Sequence, residues 1–377
     1  MSDIRIESAI EPLAAEWEEL ADRTGAPPFL RPGWAQAWWR AFGTGTPAIL
    51  TLRRDGGLAA LLALHRPARR ASAFKTEPLP LSSRPKTLRA MANWHVPVYA
   101  PLAEDPEAVA ELSDALISRG ESLVSLAILD PREPFLDGVH GAAEQAGYRI
   151  VSRRLGPSPY VDVDGDWAAY ARQRPAKLLS DVRRRERRLR EIGEVEIQVA
   201  DGSGGTAALL EEGLALEPSG WKAARGSAIA SRQETRRFYE DIAEWAADRG
   251  WLRFAFLRLD GRPLAFEFGL EHGGTYFFLK GGYDPEYHRY APGKILVHAM
   301  LKRAFAEGLT RFDFLGGDEA WKLDWTDTCR ERIVLHACAP SALGRAEWIA
   351  VAHGRPMRAR VRARLRPLAP RLESLRP

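Results

Sequence analysis

The sequence contains few of the residues that build metal and disulfide sites. Only two of its 377 residues are cysteines, Cys329 and Cys338, and their spacing matches no zinc motif. None of the eight histidines has a second histidine three or four positions away together with an acidic partner. These absences favour a protein with reduced cysteines, as in the cytoplasm, and they disfavour a metal enzyme.

Long apolar runs and a secretory leader are missing as well. No hydrophobic stretch approaches the roughly 20 residues that span a bilayer. The first ten residues, MSDIRIESAI, lack the basic start and apolar centre of a signal peptide. With 45% hydrophobic and 28% charged residues, the composition is that of an ordinary globular protein. We therefore predict a cytoplasmic protein.

The net charge of +4 is concentrated in two stretches. Arg183–Glu191 carries a net charge of +4 and Arg355–Pro377 carries +7, so the rest of the chain carries −7. A body that is acidic outside two local patches does not fit binding to DNA. The Arg-rich tail, 354–377, has apolar residues at helical spacing. It is expected either to contact an anionic membrane surface, which would place the protein at the inner face of the membrane, or to stay solvated.

The order of predicted elements divides the chain into two α/β halves. Asp55-Gly56 and Asp260-Gly261 each separate two strand-like runs and predict hairpins. After each hairpin the order strand, helix, strand recurs. Pro157-Ser158-Pro159 is the best candidate boundary. We predict an N-terminal domain over 1–156, a C-terminal domain over 157–353 that carries the chemistry, and the tail.

The most informative stretch is Thr275–Trp325, which predicts a strand, a glycine turn, a helix and a second strand. Pro292 suits the first turn of that helix and Gly308 its end. Backbone N–H groups at such a helix start attract anions such as pyrophosphate, and Arg289 and Lys294 add positive charge. A strand–helix turn that binds no ligand fits the same residues equally well.

Two further features can be interpreted either as binding surfaces or as ordinary solvent-exposed surface. The arginines of Arg183–Arg190 mostly lie opposite an apolar helical stripe, which predicts either a solvated face or a face that binds anions. Alternation along 263–270 places Glu267 on the same strand face as Ala265 and Gly269. These small neighbours leave room for a cleft wall, and a solvent-facing glutamate is the alternative.

Taken together, the motifs resemble the GNAT-type acetyltransferases associated with bacterial cellulose and exopolysaccharide biosynthesis. That family is similar to the Fem-type transferases with paired GNAT domains. The resemblance rests on GYDPEYHRYAPGKIL, EGLTRFDFLGGDEAWKLDW, EPSGWK with GSAI, and FLRPGWAQAWWRAFG. It implies an α/β (α+β) fold with two GNAT-like domains in tandem, each a mixed, mostly antiparallel sheet flanked by helices. The first would be non-catalytic and the second an acyltransferase.

The resemblance also implies a donor and an acceptor. The donor would be acetyl-CoA or another acyl-CoA, and the acceptor an amine or hydroxyl of a small molecule or saccharide. The expected donor-binding residues are Gly282, Arg289, Tyr290, Ala291, Pro292, Gly293, Lys294 and Ile295. The family's loop has glycine at the position of Pro292 and a small residue at that of Lys294. An aminoacyl-tRNA donor and a non-catalytic scaffold at the membrane therefore stay open as alternatives.

Acyl transfer needs a base that takes the proton of the acceptor. Glu319 and Asp318 are the first predicted bases, because they follow the strand ending at Leu315 and enter a glycine-rich loop. Asp313, within that strand, is the second choice. Substituting Glu319 by Gln is expected to slow turnover by about 100-fold or more without loss of folding.

The leaving thiolate needs an acid and the thioester oxygen needs donors. Tyr283 or Tyr287 is the predicted acid, because a phenol and a thiol have comparable pKa values. By resemblance, the backbone N–H groups near Lys280–Gly282 are the predicted oxyanion donors. The predicted contacts to acceptor or phosphate are Trp221, Lys222, Glu267, Lys280 and Lys322.

Overall fold

The structure, a computed structural model, describes residues 2–68, 86–216 and 232–365, the last twelve of these by their backbone alone. It has two compact units. The first comprises Met1–Ala26, Gly43–Leu155 and Ile333–Pro377, and the second comprises Pro27–Phe42 and Gly156–Arg332. The sequence predicts one boundary between the two domains, near residue 156. In the structure, residues 27–42 belong to the second unit and the segment from 333 onward belongs to the first.

The described residues of the first unit form two sheets. The smaller is built from β1 (Asp3–Glu7), β3 (Ile49–Arg54), β4 (Gly57–Leu62) and β7 (Leu102–Ala103), in that order. The larger contains β2 (Thr46–Pro47), β5 (Leu64–Arg66), β6 (Thr87–Ala90), β8 (Leu123–Leu129), β17 (Ile333–Cys338) and β9 (Arg149–Arg154), in that order. The predicted final strand, β17, therefore lies in the first unit, where it pairs with β8 and β9.

Within the described residues, the α-helices of the first unit are α1 (Ala14–Arg23), α3 (Pro106–Ser118), α4 (Pro134–Gln145) and α11 (Ala342–Leu365). The hairpin predicted at Asp55-Gly56 is confirmed between β3 and β4. Both turn residues have positive φ, 51° and 84°, which suits the right-handed twist of the flanking strands. The side chain of Asp105 caps α3 by accepting a hydrogen bond from the N–H of Ala108 over 2.7 Å.

In the second unit, the part of the chain that the structure describes forms one seven-stranded sheet. In spatial order its strands are β11 (Val195–Ala200), β12 (Leu252–Leu259), β13 (Arg262–His272), β14 (Thr275–Tyr283), β15 (Arg311–Asp313), β10 (Ser158–Asp162) and β16 (Cys329–Arg330). The β14–β15 pair is parallel and the other neighbouring pairs are antiparallel. The hairpin predicted at Asp260-Gly261 is confirmed between β12 and β13.

The helices of the second unit are α2 (Pro32–Phe42), α5 (Trp167–Gln173), α6 (Ala176–Arg190), α7 (Thr206–Leu216), α8 (Gln233–Asp248), α9 (Pro292–Ala306) and α10 (Ala320–Leu323). Helix α2 joins this unit because its aromatic face packs on α8, with the Trp34 and Phe238 ring centroids 5.5 Å apart. Helices α6 and α9 contribute Leu179, Val182, Leu296 and Leu301 to the core. Among the described residues, no helix is long and apolar enough to cross a membrane.

Candidate functional site

Two adjacent strands in the middle of the second unit's sheet, β14 and β15, pair along only part of β14. The parallel pairing of β14 with β15 runs from Thr275 to Phe277, whereas β14 continues to Tyr283 beside β13. A register shift between Phe268 and Gly269 marks a β-bulge in the β13–β14 ladder, and a bulge bends a strand and increases its twist. A gap therefore opens on the β15 side of β14, next to the start of α9.

This region holds a cavity of about 310 Å³, here called the Glu267 cavity. It is lined by Phe266, Glu267, Phe278, Gly281, Gly282, Tyr283, His288, Ala291, Gly293, Lys294, Leu296, Val297 and Trp321. Six residues predicted from the sequence to act at the site thus share one wall. They are Glu267, Gly282, Tyr283, Ala291, Gly293 and Lys294. Apolar side chains from β13, β14, α9 and α10 form much of the remaining wall.

The start of α9 offers one backbone donor to an anion. Pro292 has no N–H, and the N–H groups of Lys294 and Ile295 bond to the carbonyl of Ala291. Within the described part of the chain, the N–H of Gly293 has no hydrogen-bond partner. The N-cap residue Ala291 makes no side-chain cap and lies in the left-handed region, with φ of 49°. The helix dipole adds partial positive charge at this point.

The two cations expected beside this helix start are already engaged. Lys294 Nζ lies 2.5 Å from the carboxylate of Asp324. The guanidinium of Arg289 stacks on the ring of Tyr290, 4.7 Å from its centroid, and donates to the phenol oxygen over 2.8 Å. A diphosphate at α9 would therefore compete with Asp324 for Lys294. Tyr290 and Ile295, also predicted to contact the donor, lie in the apolar core.

Glu267 is the buried ionisable group of the cavity. Its side chain is 2% exposed, and Oε2 accepts a hydrogen bond from the phenol of Tyr276 over 3.3 Å. Oε1 has no hydrogen-bond partner among the described residues. Burial raises the pKa of Glu267 to about 8, partly offset by the bond from Tyr276. A carboxyl group near neutral pKa can both take and return a proton.

His288 lies in the same wall and was missed by the sequence reasoning. Its Nδ1 is 3.0 Å from the carbonyl oxygen of Pro285. Because a carbonyl only accepts hydrogen bonds, Nδ1 carries the hydrogen in this contact, and Nε2 of the neutral ring is left as an acceptor. The signal available in the sequence was one histidine inside the loop GYDPEYHRYAPG.

The predicted bases lie elsewhere in the second unit. Glu319 forms an ion pair with Lys322 over 2.6 Å, and neither residue lines the Glu267 cavity. Asp313 is 1% exposed, with one carboxyl oxygen on the N–H of Leu315 and the other on Arg330. Asp318 also lies outside the cavity wall. Glu319 and Asp313 are therefore each engaged in an ion pair.

The remaining predicted residues fall into three groups. Tyr283 is 38% exposed, which places it towards the solvent side of the cavity wall. Lys280 lies over the ring of Tyr239, 5.3 Å from its centroid, and Lys322 is buried. Trp221 and Lys222 lie outside the described residues. Among the residues that the structure describes, no group of three or more His, Cys, Asp or Glu side chains is arranged to hold a metal ion.

Part of the chain matches a known protein family. A family model described as an acetyltransferase (GNAT) domain matches residues 176–323. Every residue of the Glu267 cavity falls within this range. The GNAT resemblance is thereby confirmed for this part of the chain and supports a transferase.

Solved structures share the fold along most of the chain. FemX is 12% identical with a TM-score of 0.55, over 88% of this chain and 96% of its own. A domain assigned as the C-terminal domain of a lysylphosphatidylglycerol synthetase from Agrobacterium fabrum is 12% identical with a TM-score of 0.54, over 91% and 96%. These likenesses confirm the predicted fold class and say nothing of substrates. No curated protein sequence matches the chain.

Proposed function

We propose that the second unit transfers an acyl group from an acyl-thioester donor, such as acetyl-CoA, to an amine or hydroxyl acceptor. The observation that carries this proposal is the Glu267 cavity itself. It joins a helix start suited to an anion, an apolar wall suited to an acyl group and one buried carboxyl group suited to proton transfer. The matched GNAT domain supports it, because that domain contains the whole cavity.

The donor would enter at the exposed side of the cavity. Its diphosphate would lie against the N–H of Gly293, where the dipole of α9 and Lys294 favour negative charge. The acyl group would pack on the apolar side chains of Phe278, Leu296 and Trp321. The predicted oxyanion donors, the backbone N–H groups of Lys280–Gly282, lie on the part of β14 beyond its pairing with β15.

In this proposal Glu267 takes the proton of the acceptor. As the nucleophile attacks the thioester carbon, its proton passes to Oε1 of Glu267, and the thiolate leaves as the carbon–sulfur bond breaks. Tyr283 or a water protonates the thiolate. Glu267 must be ionised for this step, so kcat/KM is expected to rise with pH and to level off above about pH 8.

Donor binding is tested by calorimetry with acetyl-CoA, longer acyl-CoAs and free coenzyme A. Residue 293 tolerates a side chain, since its φ is not positive and an added Cβ would lie 3.7 Å from Tyr283. Gly293→Val is therefore expected to fold and to abolish binding that is on the order of micromolar in the wild type. Gly204→Val, whose Cβ would meet open space, is the matched control. Equal binding by both variants contradicts the proposed donor position.

Turnover decides between the candidate bases. Glu267→Gln keeps the shape of the side chain and is expected to slow turnover by about 100-fold, with loss of the pH dependence. Glu319 remains a base predicted from the sequence, so the turnover of Glu319→Gln is measured beside that of Glu267→Gln. A slow Glu319→Gln enzyme beside a normal Glu267→Gln enzyme would reverse the assignment. The first acceptors to screen are amino sugars and other saccharides, because the resemblance extends to polysaccharide and cell-envelope synthesis.

An aminoacyl-tRNA donor is the second candidate. It is favoured by the single backbone donor at α9 and by Lys294 being held by Asp324, which together make a modest diphosphate site. The exposed arginines Arg187 and Arg188 of α6 would contact phosphates. Binding of tRNA that weakens steeply with salt, together with no binding of any acyl-CoA, would favour this candidate.

A further inference from the structure

A second cavity lies in the same unit, between helices α5, α6 and α9. Its volume is about 350 Å³, and it is here called the Trp167 cavity. Its lining residues are Trp167, Ala168, Ala171, Arg172, Leu179, Arg183, His298 and Lys302. The two cavities use different faces of α9, because Leu296 and Val297 line the Glu267 cavity whereas His298 and Lys302 line this one. Nothing in the proposed acyl transfer uses it.

Three cations from three helices surround the Trp167 cavity, and its lining contains no carboxylate. Arg172, Arg183 and Lys302 form no ion pair with any residue that the structure describes. Arg183 is nevertheless anchored, since its Nε donates to the carbonyl of its own helix residue Leu179 over 3.2 Å. A guanidinium has five N–H donors, so the others remain for a ligand.

The acidic residues of α6 form ion pairs with arginines outside the lining. Asp181 is bonded to Arg184 and Arg185, and Glu186 to Arg190. Like charges held around one cavity raise its positive potential, and an anion relieves their mutual repulsion. The arrangement is therefore most favourable when an anionic group lies among the cations.

Aromatic and imidazole groups complete the wall. The ring of His298 packs near two indoles, with centroids 5.3 Å from Trp167 and 6.3 Å from Trp325. Burial, reinforced by the nearby charge of Lys302, lowers the pKa of His298 to about 4. The imidazole is therefore neutral at pH 7 and offers one N–H donor, while Trp167 offers apolar surface.

We propose that the Trp167 cavity binds a phosphorylated small molecule, with the phosphate among Arg172, Arg183 and Lys302 and the organic part against Trp167. Phosphate is the anion that fits best, because guanidinium groups bind its oxygens through paired, charge-assisted hydrogen bonds. The cavity is also larger than a lone phosphate requires. The site is independent of acyl transfer, so each proposal can fail without the other.

The test is calorimetry at low salt with three probes that share the phosphate: ADP, ribose 5-phosphate and vesicles of phosphatidylcholine with phosphatidic acid. Arg183→Gln/Lys302→Gln is expected to weaken binding at least 10-fold. Lys177→Gln/Arg184→Gln removes the same charge outside the lining, and it is expected to change affinity less than twofold. The probe that binds best identifies a nucleotide, a sugar phosphate or a lipid headgroup as the source of the phosphate.

Titration of His298 by NMR gives a second readout. Lys302, Arg183 and Glu186 are the charged groups that act on this ring. A bound phosphate adds negative charge among them and is expected to raise the pKa of His298, whereas a phosphate bound elsewhere leaves it unchanged. The proposal is overturned by equal weakening in both double variants, by an unmoved His298 titration, or by no binding of any probe at millimolar concentration.

Discussion

The phenol of Tyr276 reaches Glu267 because residue 269 has no side chain. A Cβ on Gly269 would lie 2.3 Å from the phenol oxygen of Tyr276, so the ring occupies the space that a larger residue would fill. The hydroxyl then donates to Glu267 Oε2 over 3.3 Å, with both side chains nearly inaccessible to solvent. The absence of a side chain at Gly269 therefore allows Tyr276 to donate the one hydrogen bond that the Glu267 carboxyl accepts among the described residues.

The burial of Glu267 predicts a specific dependence of stability on pH. Its pKa is raised from 4.5 to about 8, so the folded state holds a proton that the unfolded state has released. Stability is expected to fall by about 1.4 kcal/mol per pH unit between 4.5 and 8, and to be independent of this group outside that window. The Glu267→Gln variant has no ionisable group at this position, so its free energy of unfolding is expected to increase relative to that of the wild type as pH rises. Urea unfolding at pH 5 and pH 8.5 measures the difference.

The control for this experiment is a glutamate outside the core. Glu319 is 41% exposed at its side chain and pairs with Lys322. Glu319→Gln is expected to give a stability curve parallel to that of the wild type over pH 5 to 8.5. If Glu267→Gln also runs parallel to the wild type, Glu267 is not held protonated in the folded state.

A side chain at residue 269 is expected to disrupt the pair. Gly269→Ala brings a methyl group into the ring of Tyr276, and such overpacking costs about 1–3 kcal/mol. The backbone itself permits alanine, since φ at Gly269 is not positive. Gly204→Ala, into open space, should cost nothing comparable. Urea midpoints of the two variants are the measurement, and equal midpoints would show that Tyr276 moves aside freely.

The helix start beside the cavity carries backbone strain that glycine would relieve. Ala291 has φ of 49°, a left-handed conformation that costs an L-residue about 1–2 kcal/mol. Ala291→Gly is therefore expected to stabilise the protein by about 0.5–1 kcal/mol, net of the extra freedom of the unfolded chain. Ala299→Gly, in the middle of α9, is the opposite control and should destabilise by about 1 kcal/mol. Thermal or urea unfolding of both variants measures whether their changes in stability have opposite signs.

Local signals in the sequence were sufficient for individual elements. The Asp-Gly turns and the proline that opens α9 act over a few residues, so both hairpins and this helix were predicted correctly. The placement of 27–42 in the second unit depends on Trp34 meeting Phe238, which are far apart in the sequence. No local pattern encodes such a contact.

At the site, too, local sequence patterns were informative, whereas contacts between separate elements were not predictable. Strand alternation placed Glu267 on the same face as Ala265 and Gly269, because alternation is a property of the strand alone. Its contact with Tyr276 depends on the neighbouring strand and on Gly269. Lys322 was predicted from the sequence to contact a phosphate or the acceptor. Its burial follows from the turn after β15, where Leu315 has φ of 52° and directs its carbonyl to the ammonium.

Lys322 therefore provides a test that separates a structural role from a catalytic one. Its Nζ donates to the carbonyls of Leu315 and Gly317, over 2.7 and 3.1 Å, and pairs with Glu319. Lys322→Met leaves the two carbonyls without their donor and is expected to cost about 3 kcal/mol or more. Glu319→Gln removes the countercharge of the buried ammonium but keeps a carbonyl acceptor, so it is expected to destabilise the protein less than Lys322→Met does. Unfolding and turnover are measured on both. Full stability with lost turnover in Lys322→Met would instead make Lys322 a substrate-binding residue.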